Sequence, residues 1–356
     1  MTIPKQQKAL VAPAQYAAPV IQIIDVRSPG TNEVLVRVEA ASISPADEVV
    51  KDFGPPWYEY PAVLGFDAAG VVVELGEGVI DLTVGDRVIF QPYLKFPLTL
   101  ESGGYKQYAI APADIVVKIP DNLHFDEAST ILVNLATATV GLFGDAAPDF
   151  AGKGRSGARL APFWKEEGKD KCKNQPILIL SGASSVGQYA IQLARLAGFN
   201  PIIATASLHN TELLKSLGAT HVVDRSLPQA QLVSEILNTV PKRFQVIYDA
   251  FGIPETQMLG YELLAQGGTL VVVRPPVLDK KKAQEDNKHL HLPPFDELGK
   301  ELLQVHIPEW LKTGAIKPNH AEYIPGGLNG VPVGWEWLRN NQVSGKKLVV
   351  RPQETA

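Results

Sequence analysis

The sequence contains a single cysteine, Cys172, in 356 residues. One cysteine excludes a disulfide within the chain and a zinc site built from several thiolates. Cys172 lies in a lysine-rich stretch that we expect to be exposed, and no histidine stands near it in the sequence to activate the thiol. We therefore assign this cysteine no functional role.

Long cationic segments and long apolar segments are missing as well. The formal net charge is −5 and the one dense basic cluster is Lys280–Lys282, so no extended face can neutralise a nucleic-acid backbone. No apolar run approaches the ~18 residues of a membrane span, and residues 1–15 lack the apolar segment of a signal peptide. These absences predict a cytoplasmic protein with no nucleic-acid or membrane partner.

What is present is the composition of a globular protein with more than one domain. Hydrophobic residues make up 45% of the chain and charged residues 20%, as in ordinary folded proteins. With roughly 150 residues per domain, the length corresponds to about two domains, and a cleft between them is the expectation.

From residue 1 to about residue 125, the pattern is one of short strands separated by glycine and proline turns. This spacing predicts a small β-barrel or sandwich. The tail from Lys317, which ends in the strand-like SGKKLVV, is predicted to complete this domain. The predicted strands are Val34–Val38, Gly70–Glu74, Arg87–Phe90, Tyr108–Ala111 and Ile115–Ile119.

A different pattern begins at Phe125, where apolar residues recur at helical intervals and Asp126 and Glu127 suit the helix dipole. From Ile177 onward, continuous apolar runs alternate with helical segments, which predicts a parallel sheet covered by helices on both faces. The predicted strands are Ile177–Leu180, Pro201–Ala206, His221–Val223, Gln245–Tyr248 and Thr269–Val273, and the predicted helices include Val186–Ala197 and Thr211–Leu217.

Residues 145–175 are rich in glycine, lysine and proline and show little periodicity, which predicts an exposed insertion or long loop. We place the domain bounds at 1–126 for the β-rich domain, 127–312 for the α/β domain and 313–356 for the return to the first domain. The β-rich domain is therefore expected to be discontinuous in sequence.

The segment from Ile177 to Ser207, ILILSGASSVGQYAIQLARLAGFNPIIATAS, has the pattern of a strand, a turn, a helix and a second strand. Its turn follows the dinucleotide-binding pattern G-x-G-x-x-G at Gly182 and Gly187, with Ser184 in place of the middle glycine. Free N–H groups at the helix start, with two serine hydroxyls as extra donors, predict a pyrophosphate site. The alternative is an ordinary βα turn in which Ser184 is the N-cap. The candidate phosphate-binding residues are Ser184, Ser185, Val186 and Gly187.

No acidic residue ends the second strand, where many nucleotide-binding chains carry one that binds the ribose 2′-hydroxyl of NAD. The chain offers Ser207, His209 and Asn210 there, and Arg225 just past the third strand. Hydroxyl, imidazole, amide and guanidinium groups can all donate hydrogen bonds to a phosphate. This set predicts NADPH as the cofactor. The alternative is that Ser207–Asn210 cap the following helix.

These residues resemble the medium-chain dehydrogenase/reductase superfamily. Besides the strand–turn–helix unit, the segment PAVLGFDAAGVVVELGEGV, followed by GDRV and SGGYKQYAI, is similar to that superfamily's catalytic domain. The similarity runs from about Lys8 to Val350 and omits the insertion and Lys280–Pro294. It implies an α/β fold, with a Rossmann-type doubly wound parallel sheet plus a GroES-like β-barrel catalytic domain.

Within the superfamily, the chain looks like a zinc-free member. Phe66 and Asp67 stand where zinc-binding members carry a His-Glu pair, so the resemblance implies no metal. The segments SPAD (Ser44 to Asp47), NLATATVGL, TASLHNTELLKSLGA and VSGKKLVVR are most similar to the fungal trans-acting enoyl reductases that serve polyketide synthases.

This resemblance also implies site residues. The adenine-side phosphates would contact Ser184–Gly187 and Ser207–Asn210, and Arg225, which replaces a family tyrosine, would lie near the adenosine. Thr137 matches a threonine at the active site. The residues implied near the nicotinamide half are Val273, Arg274, Val343 and Ser344, and Ser44 and Pro45 are further cofactor-binding candidates.

One position departs from the family. The enoyl reductases carry a lysine two residues after the aspartate of their N-P-x-D segment, and related quinone reductases carry a tyrosine, whereas Val49 stands here. Lys51 is a candidate catalytic substitute that is out of register with the family lysine. The alternative for Lys51 is a solvated surface lysine.

The resemblance implies hydride transfer from NADPH to a carbon–carbon double bond conjugated with a carbonyl, as in an enone or an enoyl thioester. The enolate that forms needs hydrogen-bond donors in a dry cleft, and the candidate donors are Thr137, Tyr58, Tyr60 and Tyr93. The substrate is expected to be a small molecule or a carrier-bound acyl thioester, and the protein a monomer or homodimer. A quinone reductase and a cofactor-binding protein with little catalysis remain alternatives.

Overall fold

The structure, a computed structural model, describes residues 2–53, 59–92, 98–144, 157–278, 280–286, 288–291 and 301–356. Two candidate donors, Tyr58 and Tyr93, and the first part of the predicted insertion, 145–156, lie outside the described residues. No helix in the described ranges combines the length and the apolar character that crossing a membrane requires.

Strands predominate in the first third of the described chain. The elements are β1 (Gln6–Ala12), β2 (Val20–Asp25), β3 (Glu33–Ser42), α1 (Pro45–Phe53), β4 (Ala62–Val63), β5 (Ala68–Leu75), β6 (Arg87–Phe90), β7 (Tyr108–Pro112) and β8 (Val117–Lys118). Two helices follow, α2 (Phe125–Ala128) and α3 (Leu132–Phe143).

Strands and helices then alternate as the sequence predicts. The elements are β9 (Ile177–Leu180), α4 (Ser185–Leu196), β10 (Ile202–Ala206), α5 (Thr211–Leu217), β11 (His221–Asp224), α6 (Gln229–Leu237), β12 (Phe244–Asp249), α7 (Pro254–Leu263), β13 (Leu264–Val272), α8 (Lys280–Glu285) and β14 (His289–His291). After a π-helical turn, Leu302–His306, the last elements are α9 (Ile307–Thr313), β15 (His320–Tyr323), α10 (Gly330–Arg339) and β16 (Lys346–Val350).

The chain divides into two compact units. Unit 1 consists of Met1–Val133, Gly299–Gly314 and Pro318–Ala356, and unit 2 consists of Asn134–Leu298 and Ala315–Lys317. The α/β domain predicted at 127–312 includes α9 and the π-helical turn before it, whereas both of these contact β8 in unit 1.

Unit 1 is built from two sheets. The larger sheet has the strand order β15-β16-β3-β5-β6-β8, with β7 also paired to β3, and the smaller has the order β2-β1-β4. The tail strand β16 pairs antiparallel with β3. The strand predicted at Ile115–Ile119 is reduced to β8, because Ala113–Ile115 form a 3₁₀ turn. The core of this unit includes the buried side chains of Val36, Phe90 and Leu348.

Unit 2 contains a six-stranded sheet with the order β11-β10-β9-β12-β13-β14, and all its strand pairs are parallel. Every residue of β9 and of β10 is buried. Because successive side chains of a strand point to opposite faces, both faces of the sheet are covered. This confirms the predicted parallel α/β sheet.

The described part of the predicted insertion is a loop in which residues 157–164 pack on α3, whereas most of residues 165–175 are exposed. The N–H group of Ala158 donates to the carbonyl of Gly141 at 2.7 Å. The rings of Phe163 and Trp164 lie edge-on to Phe143, with ring centroids 5.7 and 5.0 Å from it. These aromatic contacts bury surface that the glycine- and lysine-rich composition does not indicate.

Cys172 is buried, contrary to the prediction, and is only 3% exposed. Its neighbours Lys171 and Lys173 are exposed, so successive residues of this turn point in opposite directions. The exposure of the lysines therefore says nothing about the residue between them. A buried thiol agrees with the absence of an assigned role.

Thr355 fixes the end of the chain in unit 1. Its buried hydroxyl accepts the N–H of Leu328 at 3.0 Å and donates to the carbonyl of Pro352 at 2.7 Å. The substitution Thr355→Val keeps the shape of the side chain but leaves the buried N–H of Leu328 without an acceptor. We expect it to lower the free energy of unfolding by about 1–3 kcal/mol, measured by urea unfolding. Thr355→Ser retains the hydroxyl and is the control, and equal losses in the two variants would contradict this assignment.

Candidate functional site

Hydrogen bonds to the neighbouring strand hold the turn after β9. Thr205 of β10 accepts the N–H of Ser181 at its Oγ1, at 3.0 Å, and the N–H of Gly182 at its carbonyl, at 2.9 Å. Ser181 has a φ of +58°. The residue of this turn in the left-handed region is therefore a serine that precedes the glycine pattern.

Close packing requires both glycines of the pattern. A Cβ on Gly182 would lie 2.8 Å from the Cβ of Ala204, and one on Gly187 would lie 2.5 Å from the carbonyl oxygen of Ser181. Gly182 therefore lets the turn lie against the sheet, and Gly187 lets the first turn of α4 lie against the turn. Bare backbone at this place fits the close approach of a pyrophosphate.

Ser184 is the N-cap of α4, as the alternative interpretation holds. Its hydroxyl accepts the N–H of Gly187 at 3.1 Å and donates to the carbonyl of Ala250 at 3.2 Å. The Ser184 proton is thus directed at Ala250, and this hydroxyl is not the extra phosphate donor that the sequence predicts. The N–H groups of Ser185 and Val186 have no acceptor within a helix that starts here, so they are the backbone donors available to a phosphate.

Ser207 and Arg225, which are predicted to hold the same phosphate, are in contact. The Nε of Arg225 donates to the Oγ of Ser207 at 3.0 Å, and the backbone N–H of Arg225 donates to the carbonyl of Ala206 at 3.0 Å. The contact uses one of the five N–H donors of the guanidinium, and Arg225 is exposed. Parallel pairing of β10 with β11 brings the two residues together.

His209 and Asn210 lie in the 3₁₀ turn between Ser207 and α5. The Nδ2 of Asn210 lies 3.2 Å from the Nε2 of His209, and Asn210 is buried while His209 is exposed. Neither Ser207 nor Asn210 makes a side-chain capping bond to the turn or helix that it precedes. The helix-capping alternative is therefore wrong for these two side chains.

Asp224 ends β11 beside Arg225 and was not among the predicted site residues. Its carboxylate accepts the N–H and the hydroxyl of Ser226 at 2.9 and 2.8 Å. These hydrogen bonds lower the pKa of Asp224, and the Arg225 guanidinium contributes to the same shift. An acid is thus absent at the end of the second strand, β10, and present at the end of the third, β11, where it is hydrogen-bonded to its own turn.

Asp249, the last residue of β12, is a second residue outside the predicted set. Its buried carboxylate accepts the N–H groups of Phe251 and Gly252, at 3.1 and 2.9 Å, and the hydroxyl of Thr256 at 2.7 Å. Burial raises the pKa of Asp249 in spite of these donors. The strand order reverses between β9 and β12, and ligands of open α/β sheets bind at such a point. An acid followed by a glycine turn, DAFG after a predicted strand, was the available signal.

Val273 and Arg274 follow β13, and the loop they begin is tied to the loop after β12. Buried Gln257 donates from its Nε2 to the carbonyls of Gly252 and Pro275, at 2.8 and 3.2 Å. The guanidinium of Arg274 lies 5.2 Å from the ring centroid of Phe251. The two loops therefore act as one structure at the carboxyl edge of the sheet in unit 2.

In unit 1, the segment SPAD starts α1. The Oγ of Ser44 accepts the N–H of Ala46 at 3.3 Å, and the carboxylate of Asp47 accepts the N–H of Ser44 at 3.0 Å. Pro45 is the first helical residue. This reciprocal capping with proline at the first position is a recognisable helix-start pattern, so these residues have a structural duty besides any contact with a cofactor.

Val343 and Ser344, the other candidates in unit 1, lie just before β16. Val343 packs against the apolar core of this unit, and Ser344 is exposed. Their predicted contact with the nicotinamide half stays a prediction.

Val49 and Lys51 leave α1 on opposite sides, since two residues along an α-helix correspond to a rotation of about 200°. Val49 is 50% exposed, whereas Lys51 is 6% exposed and lines a cavity with Glu48 and Trp335. The alternative of a solvated surface lysine is therefore wrong. The geometry also argues against Lys51 as a replacement for the side chain at position 49, and its catalytic role stays a prediction.

Thr137 lies half-buried in the middle of α3, in unit 2. Its carbonyl accepts the hydroxyl of Tyr248 at 2.9 Å, and a Cβ on Gly141, one turn later, would lie 2.5 Å from the ring of Tyr248. Tyr248 therefore fixes the part of α3 that carries Thr137. The catalytic role of Thr137 stays a prediction.

Tyr60, in unit 1, was a further candidate donor. Its hydroxyl donates to the carbonyl of Lys51 at 2.9 Å. This proton is engaged at the end of α1, so Tyr60 has a structural role in the arrangement that the structure describes.

Phe66 and Asp67, at the positions where zinc-binding members carry a His-Glu pair, do not fit a metal site. Phe66 has no ligand atom, and the buried carboxylate of Asp67 accepts the N–H of Val133 at 2.8 Å and the hydroxyl of Ser42 at 3.4 Å. In the part of the chain that the structure describes, no three His, Cys, Asp or Glu side chains lie close enough to share a metal ion.

Asp67 belongs to a buried cluster of charged and polar side chains in unit 1. Burial raises the pKa of Asp67 to about 7 and that of Asp47 to about 6, and the charge of Lys347 opposes both shifts. Burial also lowers the pKa of Lys347. The hydroxyl of Tyr105 donates to Asp47 at 2.6 Å. Desolvation thus favours the neutral form of each ionisable member of the cluster.

Comparison with known proteins agrees with this architecture. Residues 30–121 match the alcohol dehydrogenase GroES-like domain, and residues 185–290 match the family described as zinc-binding dehydrogenase. These matches confirm the predicted combination of a GroES-like domain with a Rossmann-type α/β domain.

Individual relatives match over nearly the whole chain. A trans-enoyl reductase from Aspergillus flavipes is 32% identical over 90% of this chain and 92% of its own. A trans-enoyl reductase from Penicillium crustosum is 29% identical over 98% of this chain and 97% of its own. The structure of a mycobacterial protein complexed with NADPH has a TM-score of 0.73 at 21% identity, over 97% of this chain and 100% of that one. At that identity, the last likeness concerns the fold alone.

The buried cluster makes stability depend on pH. Asp67 keeps its proton in the folded protein up to about pH 7, whereas an unfolded aspartate loses it near about pH 4. Between these values the folded state binds the extra proton, so the free energy of unfolding falls as pH rises. Asp67→Asn cannot titrate at this position. Its free energy of unfolding relative to wild type should rise from about pH 5 to about pH 8 by at least about 1.4 kcal/mol, the equivalent of one pKa unit.

Urea unfolding at a series of pH values measures this difference. The matched control is Asp121→Asn, because the side chain of Asp121 is fully exposed and lies outside the buried cluster. A difference between Asp67→Asn and wild type that is constant, or that falls as pH rises, would show that Asp67 is ionised in the folded protein.

Proposed function

The chain belongs to the medium-chain dehydrogenase/reductase superfamily, together with the trans-enoyl reductases, and on that premise we propose that it reduces activated carbon–carbon double bonds with NADPH and without a metal ion. It is an oxidoreductase with a nicotinamide cofactor and a small-molecule substrate. The proposal adds three points to this: that the cofactor is NADPH, which residues act in which role, and that no metal is needed.

The contact between Ser207 and Arg225 carries the proposal of NADPH. It lies just after β10, where NAD-binding chains place an acid on the ribose hydroxyl. A guanidinium and a hydroxyl can both donate hydrogen bonds, so they suit the oxygens of a 2′-phosphate. The ribose 2′-hydroxyl of NAD is instead bound by an acid, which accepts its hydrogen bond. The carboxylate of Asp224 is turned to Ser226, which leaves Arg225 as the charged group at this position.

Different residues of unit 2 would bind different parts of the cofactor. The N–H groups of Ser185 and Val186 would hold the pyrophosphate on the bare backbone around Gly182 and Gly187, where added Cβ atoms would clash. Buried Asp249 and Gln257 keep the neighbouring loops in place. When bound, the reduced nicotinamide supplies the hydride.

The protein itself has to stabilise negative charge on the substrate carbonyl. Because Val49 offers no donor, we assign this hydrogen bond to the hydroxyl of Thr137. Tyr248 holds the backbone of Thr137 at 2.9 Å, so that the threonine is positioned in advance of the reaction. The chemistry of Phe66 and Asp67 does not fit zinc, so the proposal contains no metal.

Arg225→Gln tests the proposed cofactor. Loss of one charge-assisted hydrogen bond, worth about 1.5–3 kcal/mol, should weaken NADPH binding by about tenfold to about a hundredfold and leave NADH binding nearly unchanged. Calorimetric titration of both nucleotides measures the two dissociation constants. Lys215→Gln, which removes an exposed positive charge from α5, is the matched control. Equal weakening of NADPH and NADH, or tighter binding of NADH by the wild type, would refute the assignment.

An acceptor panel tests the proposed reaction. We expect the wild type to oxidise NADPH with an aliphatic enone or an enoyl thioester, to turn over a benzoquinone more slowly, and to keep this activity when the purified protein is freed of metal. The rate of NADPH oxidation at equal acceptor concentration measures this. Faster turnover of the quinone would favour a quinone reductase. Tight NADPH binding without turnover of any acceptor would favour a cofactor-binding protein.

Thr137→Val separates the reaction from cofactor binding. Removal of an oxyanion donor should lower kcat by about 10²–10³ while the dissociation constant of NADPH stays the same. Thr139→Val on the same helix is the control, because the hydroxyl of Thr139 donates to the carbonyl of Leu135 at 2.7 Å. Equal effects of the two variants would mean that α3 is merely destabilised.

A further inference from the structure

In unit 2, the strands β9, β12 and β13 end at the same level of the sheet. Asp249, the last residue of β12, pairs with Leu180 of β9 on one side and with Val272 of β13 on the other. The turn after β9 and the loops after β12 and β13 therefore leave the sheet side by side. With about 4.8 Å between neighbouring strands, the two loops start about 5 and about 10 Å from the turn.

The side chain of Arg274, in the loop after β13, extends over the loop after β12. Its guanidinium lies 5.2 Å from the ring centroid of Phe251, and a Cβ on Gly252 would lie 3.0 Å from the Cβ of Arg274. In the same loop, the carbonyl of Ala250 accepts the hydroxyl of Ser184, the N-cap of α4, at 3.2 Å. Because β12 lies between β9 and β13, the charge of Arg274 is displaced toward the turn after β9.

The guanidinium of Arg274 is available to a ligand. Arg274 is exposed, and in the described part of the chain its guanidinium makes no hydrogen bond and no ion pair. Asp249 is close enough for this charge to oppose the rise that burial causes in its pKa. The oxygens of Asp249, however, accept the N–H groups of Phe251 and Gly252 and the hydroxyl of Thr256. The acid is thus used by its own loop.

Gln257 holds the loop that carries Arg274. Its side chain is fully buried. Its Nε2 donates to the carbonyls of Gly252 and Pro275, at 2.8 and 3.2 Å, and its Oε1 accepts the N–H of Val277 at 2.9 Å. These bonds fix the backbone just after Arg274 to the loop after β12. A backbone that is fixed in advance loses less entropy when its side chain binds a ligand.

The turn after β9 has no cation of its own. Residues 181–188 contain neither lysine nor arginine, so the turn offers only neutral donors to a pyrophosphate, which is negatively charged on both phosphates. Arg225 lies after β11, on the other side of β9. A guanidinium can bind a phosphate through two parallel hydrogen bonds, and Arg274 is the arginine on the β12 side of the turn.

We propose that Arg274 binds the pyrophosphate of the cofactor on its nicotinamide side, beside the N–H groups of Ser185 and Val186, and that Gln257 is the positioning residue for Arg274. This rests on the proposed function, in which the adenine half lies toward β10 and β11. Sheets of this kind bind a dinucleotide across the point where the strand order reverses, which places the nicotinamide half toward β12 and β13.

Calorimetric titration of Arg274→Gln tests the proposal. NADPH, NADP+ and NADH all contain the pyrophosphate, so each should bind about tenfold more weakly than to the wild type, the effect of one charge-assisted hydrogen bond. Adenosine 2′,5′-bisphosphate lacks the nicotinamide-side phosphate and should bind equally to both proteins. Arg243→Gln is the matched control, because Arg243 is an exposed arginine just before β12, at the opposite edge of the sheet. It should leave every dissociation constant unchanged.

Arg225→Gln, titrated with the same nucleotides, should give a different pattern. The proposed contact with the 2′-phosphate predicts weaker binding of NADPH, NADP+ and adenosine 2′,5′-bisphosphate, with NADH unaffected. Loss of that selectivity would refute the choice of NADPH and would leave the result for Arg274 intact. The two assignments can therefore fail separately.

A double-mutant cycle tests the role of Gln257. Gln257→Glu keeps the shape of the side chain but replaces the two N–H donors by a carboxylate oxygen. It should weaken NADPH binding in the otherwise wild-type protein and have no further effect in Arg274→Gln, since it acts through Arg274. Binding of adenosine 2′,5′-bisphosphate should stay the same, which a general loss of folding would not allow. Equal effects of Gln257→Glu in both backgrounds would refute the positioning role.

Three results for Arg274→Gln would overturn the proposal. The first is unchanged binding of NADPH, NADP+ and NADH. The second is equal weakening of adenosine 2′,5′-bisphosphate, which would mean that Arg274 does not act at the nicotinamide-side phosphate. The third is weakening of NADPH and NADP+ by different factors, because these two differ in the charge of the nicotinamide ring and share the pyrophosphate. Arg274 is exposed, so its replacement leaves the fold intact and each result can be read.

Discussion

Two buried carboxylates hold the first turns of the two helices that carry the candidate catalytic positions. Asp47 accepts the N–H of Ser44 at the start of α1, and Asp67 accepts the N–H of Val133 at the start of α3. Both lie near Lys347, whose positive charge opposes the rise that burial causes in their pKa values. Within unit 1, the start of α1 and the first residues of α3 are held by these hydrogen bonds.

Several residues that a functional motif singles out are also needed by the fold. Ser44 and Ser184 each cap a helix, and Gly182 and Gly187 each avoid a backbone or side-chain clash. The turn after β9 offers a phosphate its accessible backbone N–H groups. The hydroxyl of Ser184 is less suited, because it donates to the carbonyl of Ala250.

The predictions that failed share a physical cause. Cys172 stands among lysines, and Lys51 carries a charge itself, so the local sequence makes exposure the expectation for both. The structure buries both, because adjacent residues of a turn or helix point in different directions and only one of those directions faces the core. The segment from residue 157 is a loop, as its composition predicts, but that composition does not reveal the contacts of Phe163 and Trp164 with Phe143. Asp249 had a local signal in DAFG, but its place at the reversal of strand order is set by the order of the sheet.

Sequence alone determined the parts of this protein that depend on periodicity and on local chemistry. The alternation of apolar runs with helices predicted the parallel sheet, and the glycine spacing predicted the turn after β9, whereas the phosphate-binding set inferred from the lack of an acid at Ser207 stays a prediction. Tertiary structure decided which of these residues meet. Pairing of β10 with β11 joined Ser207 to Arg225, and packing of α10 on α1 enclosed Lys51 beside Trp335. Such contacts join residues far apart in the chain, and no local pattern encodes the distance between them.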